Sequence, residues 1–296
     1  MAGIGYGKVI LFGEHFVVYG KPAIVAGLRK LKKVVEIKEG KWNREFSDSA
    51  VRALKRVASK CGCPKKASFN LKISGNIPIK QNLGSSAALC VAFARAINSK
   101  YRLKMKDTEI NLAAYEGEKE FHGNPSGIDT SAATYGGLFS FYKKENGAFN
   151  ISPISITGMP FHLLISGTGE KKLGTGAMVA LFREIKEKDP DEAERAFKAY
   201  SSLYVDAIEA IESHDAMRIG ALMDLNHRIL VQFKLSTPEI DHATLIMKET
   251  GSLGCKITGA GGGGNIIGLF KSHNKAKRAQ KVLEKEGFPT LYARIE

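Results

Sequence analysis

Pro78-Ile79-Lys80-Gln81-Asn82-Leu83-Gly84-Ser85-Ser86-Ala87-Ala88 runs straight into an apolar stretch that continues to Ile97. Gly84 permits close approach of the backbone, and the residues from Ser85 onward are small and apolar all round, as a buried helix requires. At the start of that helix the amides of Ser85, Ser86 and Ala87 lack intrahelical acceptors. The helix dipole adds positive potential at the same place, so the segment is suited to holding an anion such as a phosphate. It is not a Walker A loop, because GxxxxGK[ST] is absent. A serine-capped helix after a turn uses the same residues, and this segment by itself leaves both readings open.

Upstream lies Gly7-Lys8-Val9-Ile10-Leu11-Phe12-Gly13-Glu14-His15, an apolar strand with a lysine at its start and Glu-His at its end. Such a strand delivers both ends to a ligand, or is an ordinary N-terminal strand with a solvated lysine. Downstream, Glu116-Gly117-Glu118-Lys119-Glu120-Phe121-His122 ends a predicted helix, and Gly123-Asn124-Pro125-Ser126-Gly127-Ile128-Asp129 presents Asp129 from a tight turn. Two carboxylates, one for Mg²⁺ and one near an accepting hydroxyl, are what phosphoryl transfer needs; a charged helix end followed by an Asx-type turn is the alternative. Near the C-terminus, Lys256-Ile257-Thr258-Gly259-Ala260-Gly261-Gly262-Gly263-Gly264-Asn265 has five glycines in the six positions from 259 to 264. Each glycine costs roughly 0.5–1 kcal/mol relative to alanine in regular structure, which favours close backbone approach to a ligand over a flexible hairpin.

Between these segments the pattern mixes strands and helices without regular βαβ alternation, which predicts an α+β fold. Strands are expected at 7–12, 33–38, 68–74, 161–165, 256–258, 265–270 and 290–295. Phe69, Leu71 and Ile73 should share a face of the third. Helices are expected at 48–61, 85–97, from Asp107 or Thr108 to about Phe121, and at 175–188, 191–211, 216–231, from Thr237-Pro238 onward and at 274–286. Punctuation by Asn150, Pro153, Gly158 and Pro160 divides the chain into domains at 1–155 and 156–296.

The whole chain has 296 residues, 44% of them hydrophobic, with 44 Lys plus Arg against 30 Asp plus Glu, a formal charge of +14. That excludes disorder, collagen and a small disulfide scaffold, and favours anionic partners. Cys61, Cys63, Cys90 and Cys255 form neither a CxxC pair nor a metal-ligand spacing and read as reduced. No leader and no stretch of about 18 apolar residues is evident, so the expectation is a cytoplasmic protein without a membrane span.

Taken together, the stretches GKVILFGEHFVVYGKPAI at 7–24, PIKQNLGSSAA at 78–88, EFHGNPSGIDTSAATYGG at 120–137 and KITGAGGGGN at 256–265 resemble the motifs of the GHMP kinase superfamily. The stretch at 120–137, with HGNPSGID, resembles the branch that phosphorylates mevalonate, as does Asn226-His227-Arg228-Ile229-Leu230 followed by Ser236-Thr237-Pro238-Glu239. The resemblance covers nearly the whole chain in the right order.

It implies an N-terminal S5-like α+β domain and a C-terminal ferredoxin-like α+β domain, with ATP and mevalonate as substrates. Asp129 would accept or orient the proton of the 5-hydroxyl, and Lys8 would stabilise the charge of the transferring phosphoryl group. Pro78, Leu83, Gly84, Ser85, Ser86 and Ala87 would cradle the nucleotide phosphates, and Ser86 and Glu118 would hold Mg²⁺. Glu14, His15, Thr175, Gly259, Ala260 and Gly261 would serve the substrate. Three departures stand out: Tyr6 replaces a proline, Asn82 replaces a glycine, and Leu173 occupies the place of an arginine, with Lys171 and Lys172 as neighbouring cations.

A nucleic-acid-binding module is the reading from a different class, suggested by the charge and by basic stretches at Arg29–Arg44 and Lys271–Lys285. Acids interrupt both stretches and no RRM, KH or zinc-finger signature occurs, so solvated faces explain them better and no nucleic-acid partner is expected. Homodimer formation stays open.

Overall fold

The computed structural model describes residues 2–78, 82–156, 158, 160–169 and 174–295. The chain forms two compact units, one of Met1–Lys8 with Ala26–Gly137, the other of Val9–Val25 with Leu138–Glu296.

In the first unit, β1 (Ala2–Phe12) and β2 (Ala23–Glu39) are neighbours in a sheet. β2 also pairs antiparallel with β3 (Phe69–Gly75), Lys33 lying opposite Gly75 and Glu39 opposite Phe69. Phe69 and Leu71 are buried as expected, but Ile73 is 36% exposed near the end of its strand. Helix α1 (Asp48–Lys60) starts at Ser47, whose side chain accepts from the Ala50 amide, and turns Ala53, Leu54, Val57 and Ala58 inward. Helix α2 (Ser85–Tyr101) is buried almost throughout from Ala87 to Ile97, which explains its lack of a polar face.

Helix α3 (Asp107–His122) begins one residue before the expected caps: Lys106 precedes it, and the Glu109 carboxylate accepts the Lys106 amide at 2.7 Å. Helix α4 (Ile128–Tyr135) was not expected, and Asp129 therefore sits in the first turn of a helix and not on a turn.

What positions these elements is the absence of side chains between β1 and α2. A Cβ on Gly5 would stand 2.1 Å from the Ala88 carbonyl oxygen, and one on Gly3 only 2.0 Å from that of Ala92. Strand backbone therefore rests directly on helix backbone, and the Lys8 amide donates to the Leu83 carbonyl at 3.0 Å just before α2 begins. The sequence pattern shows these glycines, but nothing local marks them as contact points.

In the second unit, β4 (Gly137–Lys143) and β5 (Phe149–Pro153) form an antiparallel hairpin that the pattern did not predict. The main sheet has the order β7-β8-β6-β9, all pairs antiparallel, from β6 (Phe161–Gly167), β7 (Gly254–Thr258), β8 (Asn265–Phe270) and β9 (Thr290–Ile295). Helices α5 (Thr175–Lys188), α6 (Pro190–Glu212), α7 (Ala216–Gln232), α8 (Pro238–Glu249) and α9 (His273–Lys285) complete it, with α7, α8 and α9 packed on the sheet. Their starts follow capping chemistry: Asp189, Asp215, Thr237 and Ser272 each accept a first-turn amide. Among the described residues no helix is long and apolar enough to cross a membrane.

Replacing Gly5 by alanine must push α2 off β1, and overpacking of this kind costs roughly 1–3 kcal/mol. Urea titration of Gly5→Ala should show that loss, whereas Gly176→Ala, where nothing lies within 4 Å of the new methyl group, should leave stability unchanged or higher.

Candidate active site

The first unit brings one group of sequence-predicted residues together. Gly84 precedes α2 at φ 75°, and the first helical hydrogen bond runs from Ala88 N to Gly84 O at 2.9 Å. The amides of Ser85, Ser86 and Ala87 are therefore left at the helix start without intrahelical acceptors. Asn82, standing where the family has glycine, takes φ 53°, a conformation asparagine tolerates. Leu83 and Ala87 are buried beneath this loop and Pro78 precedes it, while 79–81 fall outside the described residues.

Lys8 comes to the same place along β1. It is 6% exposed, and its Nζ lies 3.2 Å from Asp129 Oδ1. A Cβ on Gly84 would meet Lys8 Cγ at 3.1 Å and Asp129 Oδ1 at 3.6 Å, so lysine, aspartate and the helix start converge within contact distance. Asp129 is held by α4, which Gly127 starts at φ 91° and where Ser131 N donates to Gly127 O at 3.0 Å. In the first turn of α4 its carboxylate gains from the helix dipole.

Glu118 comes from α3 and is only 1% exposed. Burial, and after it the charge of Asp129, push its carboxyl up to about 8, against the hydrogen bond from Ser86 and the charge of Lys8, which pull it down. His122 Nε2 stands 3.6 Å from its Oε2, while the buried Oε1 has no hydrogen-bond partner. A buried carboxylate oxygen without a donor, beside a serine hydroxyl, fits a small hard cation. Among the described residues no three His, Cys, Asp or Glu converge on one point, but Mg²⁺ needs only one or two protein oxygens when phosphates and water fill the other positions.

The second unit gathers another group. All five glycines from Gly259 to Gly264 have positive φ, from 67° to 104°, which a chain with side chains rarely adopts in succession. The loop is anchored: Gly262 N donates to Leu235 O at 2.8 Å, and Thr168 N to Gly264 O at 2.7 Å. His15 Nε2 is 2.9 Å from the Ala260 carbonyl, to which it must be the donor. The His15 ring stacks on Phe182, centroids 4.8 Å apart, and Phe182 in turn on Phe233 at 4.1 Å.

Glu14 is 1% exposed and paired with the fully buried Lys256. Thr175 opens α5 and is exposed; on the same helix Met178 packs against Gly262 and Phe182 beneath His15. Leu173 and its neighbouring lysines, where the family pattern has arginine, lie outside the described residues.

Sequence reasoning did not single out Lys256, Thr168, Phe182 or the Gly3–Gly5 contact. Lys256 alone carried a legible signal, a lone charge inside an otherwise apolar strand.

A family model described as GHMP kinases N terminal domain matches residues 48–137, and one described as GHMP kinases C terminal matches residues 207–289. The mevalonate kinase of Archaeoglobus fulgidus is 32% identical over 95% of this chain and 96% of its own length. The crystal structure of L. major mevalonate kinase in complex with R-mevalonate matches with a TM-score of 0.91 at 31% identity, covering 100% of this chain and 96% of that one. That of Methanococcus jannaschii mevalonate kinase gives 0.83 at 30% identity, covering 100% and 98%. The chain belongs to the GHMP kinase family. Within that family, mevalonate kinases match nearly all of the chain at about 30% identity.

Because the Glu118 carboxyl titrates near 8, it is mostly protonated at pH 7 in the ligand-free protein. A divalent cation favours the carboxylate, so binding of Mg²⁺ with ADP at pH 7 should release about one proton from this group. Calorimetry in two buffers of different ionisation enthalpy measures the release. It should disappear in Glu118→Gln, and equal release in both proteins would contradict the assignment of Glu118 to the cation.

Proposed function

We propose that this protein is an ATP- and Mg²⁺-dependent kinase that phosphorylates the 5-hydroxyl of mevalonate, giving 5-phosphomevalonate for isoprenoid synthesis. The observation that carries the reading is the Lys8–Asp129 pair, 3.2 Å apart and set against the amide-rich start of α2. An anion cradle beside a carboxylate and an ammonium group supplies what phosphoryl transfer asks of a protein: positioning and charge stabilisation.

The chemistry follows from these groups. The β- and γ-phosphates of ATP rest on the amides of Ser85, Ser86 and Ala87, with Gly84, Leu83 and Pro78 shaping the loop. The Asp129 carboxylate takes or orients the proton of the attacking hydroxyl. As the new O–P bond forms on the γ-phosphorus, the bond to the β–γ bridging oxygen breaks and ADP leaves. Lys8 stabilises negative charge on the transferring phosphoryl oxygens. Ser86 and Glu118 would hold Mg²⁺, which when bound neutralises charge on the β- and γ-phosphate oxygens.

To the second unit we assign recognition of the acid. His15 and Glu14 form the recognition turn, Thr175 opens the adjoining helix, and Gly259, Ala260 and Gly261 offer backbone without side chains. Four free cysteines support a cytoplasmic location. The reading holds whether the chain works alone or as a homodimer.

Asp129→Asn should lower kcat by roughly 10²-fold or more, as loss of a general base does, and Lys8→Met by roughly 10²–10³-fold, with the fold intact by circular dichroism. A coupled assay of ADP release with mevalonate, phosphomevalonate, galactose and homoserine as acceptors tests the substrate. Turnover confined to mevalonate is expected; near wild-type turnover in either variant, or activity only with another acceptor, overturns the proposal.

A further inference from the structure

Glu14 lies within a backbone that is conformationally unusual on both sides. Gly13 has φ 115°, and His15 has φ 62° with ψ −44°, a conformation outside the left-handed well that a histidine tolerates. A non-glycine residue in such a region costs on the order of 1–3 kcal/mol and persists only where its surroundings over-determine it. Gly13 itself has no room for a side chain: a Cβ would meet that of Ala23 at 2.5 Å and the Tyr200 hydroxyl at 3.0 Å.

Several ties that hold this turn lead to the segment around the third glycine-rich loop. Ile10 N donates to Thr258 Oγ1 at 3.0 Å, and Thr258 Oγ1 donates to Ile10 O at 3.1 Å. His15 Nε2 donates to Ala260 O. Between these two attachments Lys256 Nζ donates to the Glu14 carboxylate and, at 2.6 Å, to Ile257 O.

Lys256 and Glu14 have side chains with no solvent exposure. Burial pulls the Lys256 ammonium below the ordinary lysine range, and Glu14 acts in the opposite direction to keep it charged. A fully buried ion pair seldom adds net stability over a well-packed apolar pair, because desolvation of both charges opposes their attraction. Stability is therefore a poor reason for its presence, and geometry is a better one.

We infer that Lys256 is a positioning residue for substrate recognition: through Glu14 it locks the strained Gly13-Glu14-His15 turn, and with it the His15 imidazole, onto the third glycine-rich loop. The lysine itself cannot reach a substrate, since two of its three donors are engaged inside the unit and none of its surface is exposed. The inference deepens the proposed function, because it takes the 13–15 turn to be where the hydroxy acid is recognised.

A double-mutant cycle of Lys256→Met, Glu14→Gln and the two combined tests it. If Lys256 acts only through Glu14, each single variant and the double raise KM for mevalonate by the same factor, tenfold or more, with KM for ATP within twofold of wild type. The double variant contains no uncompensated buried charge, so it folds even where Lys256→Met does not. Losses that multiply in the double variant, or an unchanged KM for mevalonate in it, overturn the inference.

A second readout is independent of turnover. Long-range ¹H–¹⁵N spectra of labelled histidine should report His15 as the Nε2–H tautomer in the wild type and lose that fixed state in each variant. An unchanged His15 signal refutes the positioning role even if the enzyme uses mevalonate. A shifted signal in a protein that does not turn over mevalonate leaves the positioning intact and rejects the substrate.

Discussion

Backbone-to-backbone contact between β1 and α2 is the constraint from which the rest of the first unit follows. With Gly3 and Gly5 offering no side chains, the strand lies on the carbonyls of Ala88 and Ala92, and Lys8 arrives at the level of Leu83 and Gly84. A helix held further away by one methyl group would carry its N-terminal amides away from the lysine. The small residues of α2, which make it featureless as a helix, are what let this contact form.

That contact brings two buried ionisable groups, Lys8 and Glu118, beside the more exposed Asp129. Lys8, Asp129 and Glu118 come from a strand and two helices, and their mutual influence is written in the Glu118 carboxyl, raised by burial and by Asp129 and held down by Ser86 and Lys8. The second unit also buries charge but resolves it internally, pairing Glu14 with Lys256. The first cluster keeps a buried acceptor, Glu118 Oε1, with no hydrogen-bond partner among the described residues, whereas the second contains a paired lysine and glutamate.

The ends of most elements and the free amides at the start of α2 were legible because they are written in local chemistry. Thr237-Pro238 starts a helix wherever it occurs ahead of an apolar face, and Gly84-Ser85-Ser86 leaves amides free by helix geometry alone. Asp129 was expected on a turn, but α4 is eight residues long, is preceded by Gly127 and carries β-branched Ile128 and Thr130; packing against its neighbours, not propensity, makes it a helix. The β4–β5 hairpin was missed although Asn146-Gly147 in its turn is a strong local hairpin cue. Lys256 was invisible as a positioning residue because its partner stands 242 positions away in the chain. Of the +14 charge, the proposed chemistry uses few residues.

The central claim is that the groups around Lys8 and Asp129 move the γ-phosphoryl of ATP onto one defined oxygen. ³¹P NMR of the product formed from ATP, Mg²⁺ and mevalonate tests it most directly. The account predicts one new phosphomonoester resonance, split by the two protons of the C5 methylene group. A resonance without that splitting, or release of inorganic phosphate alone, would contradict it.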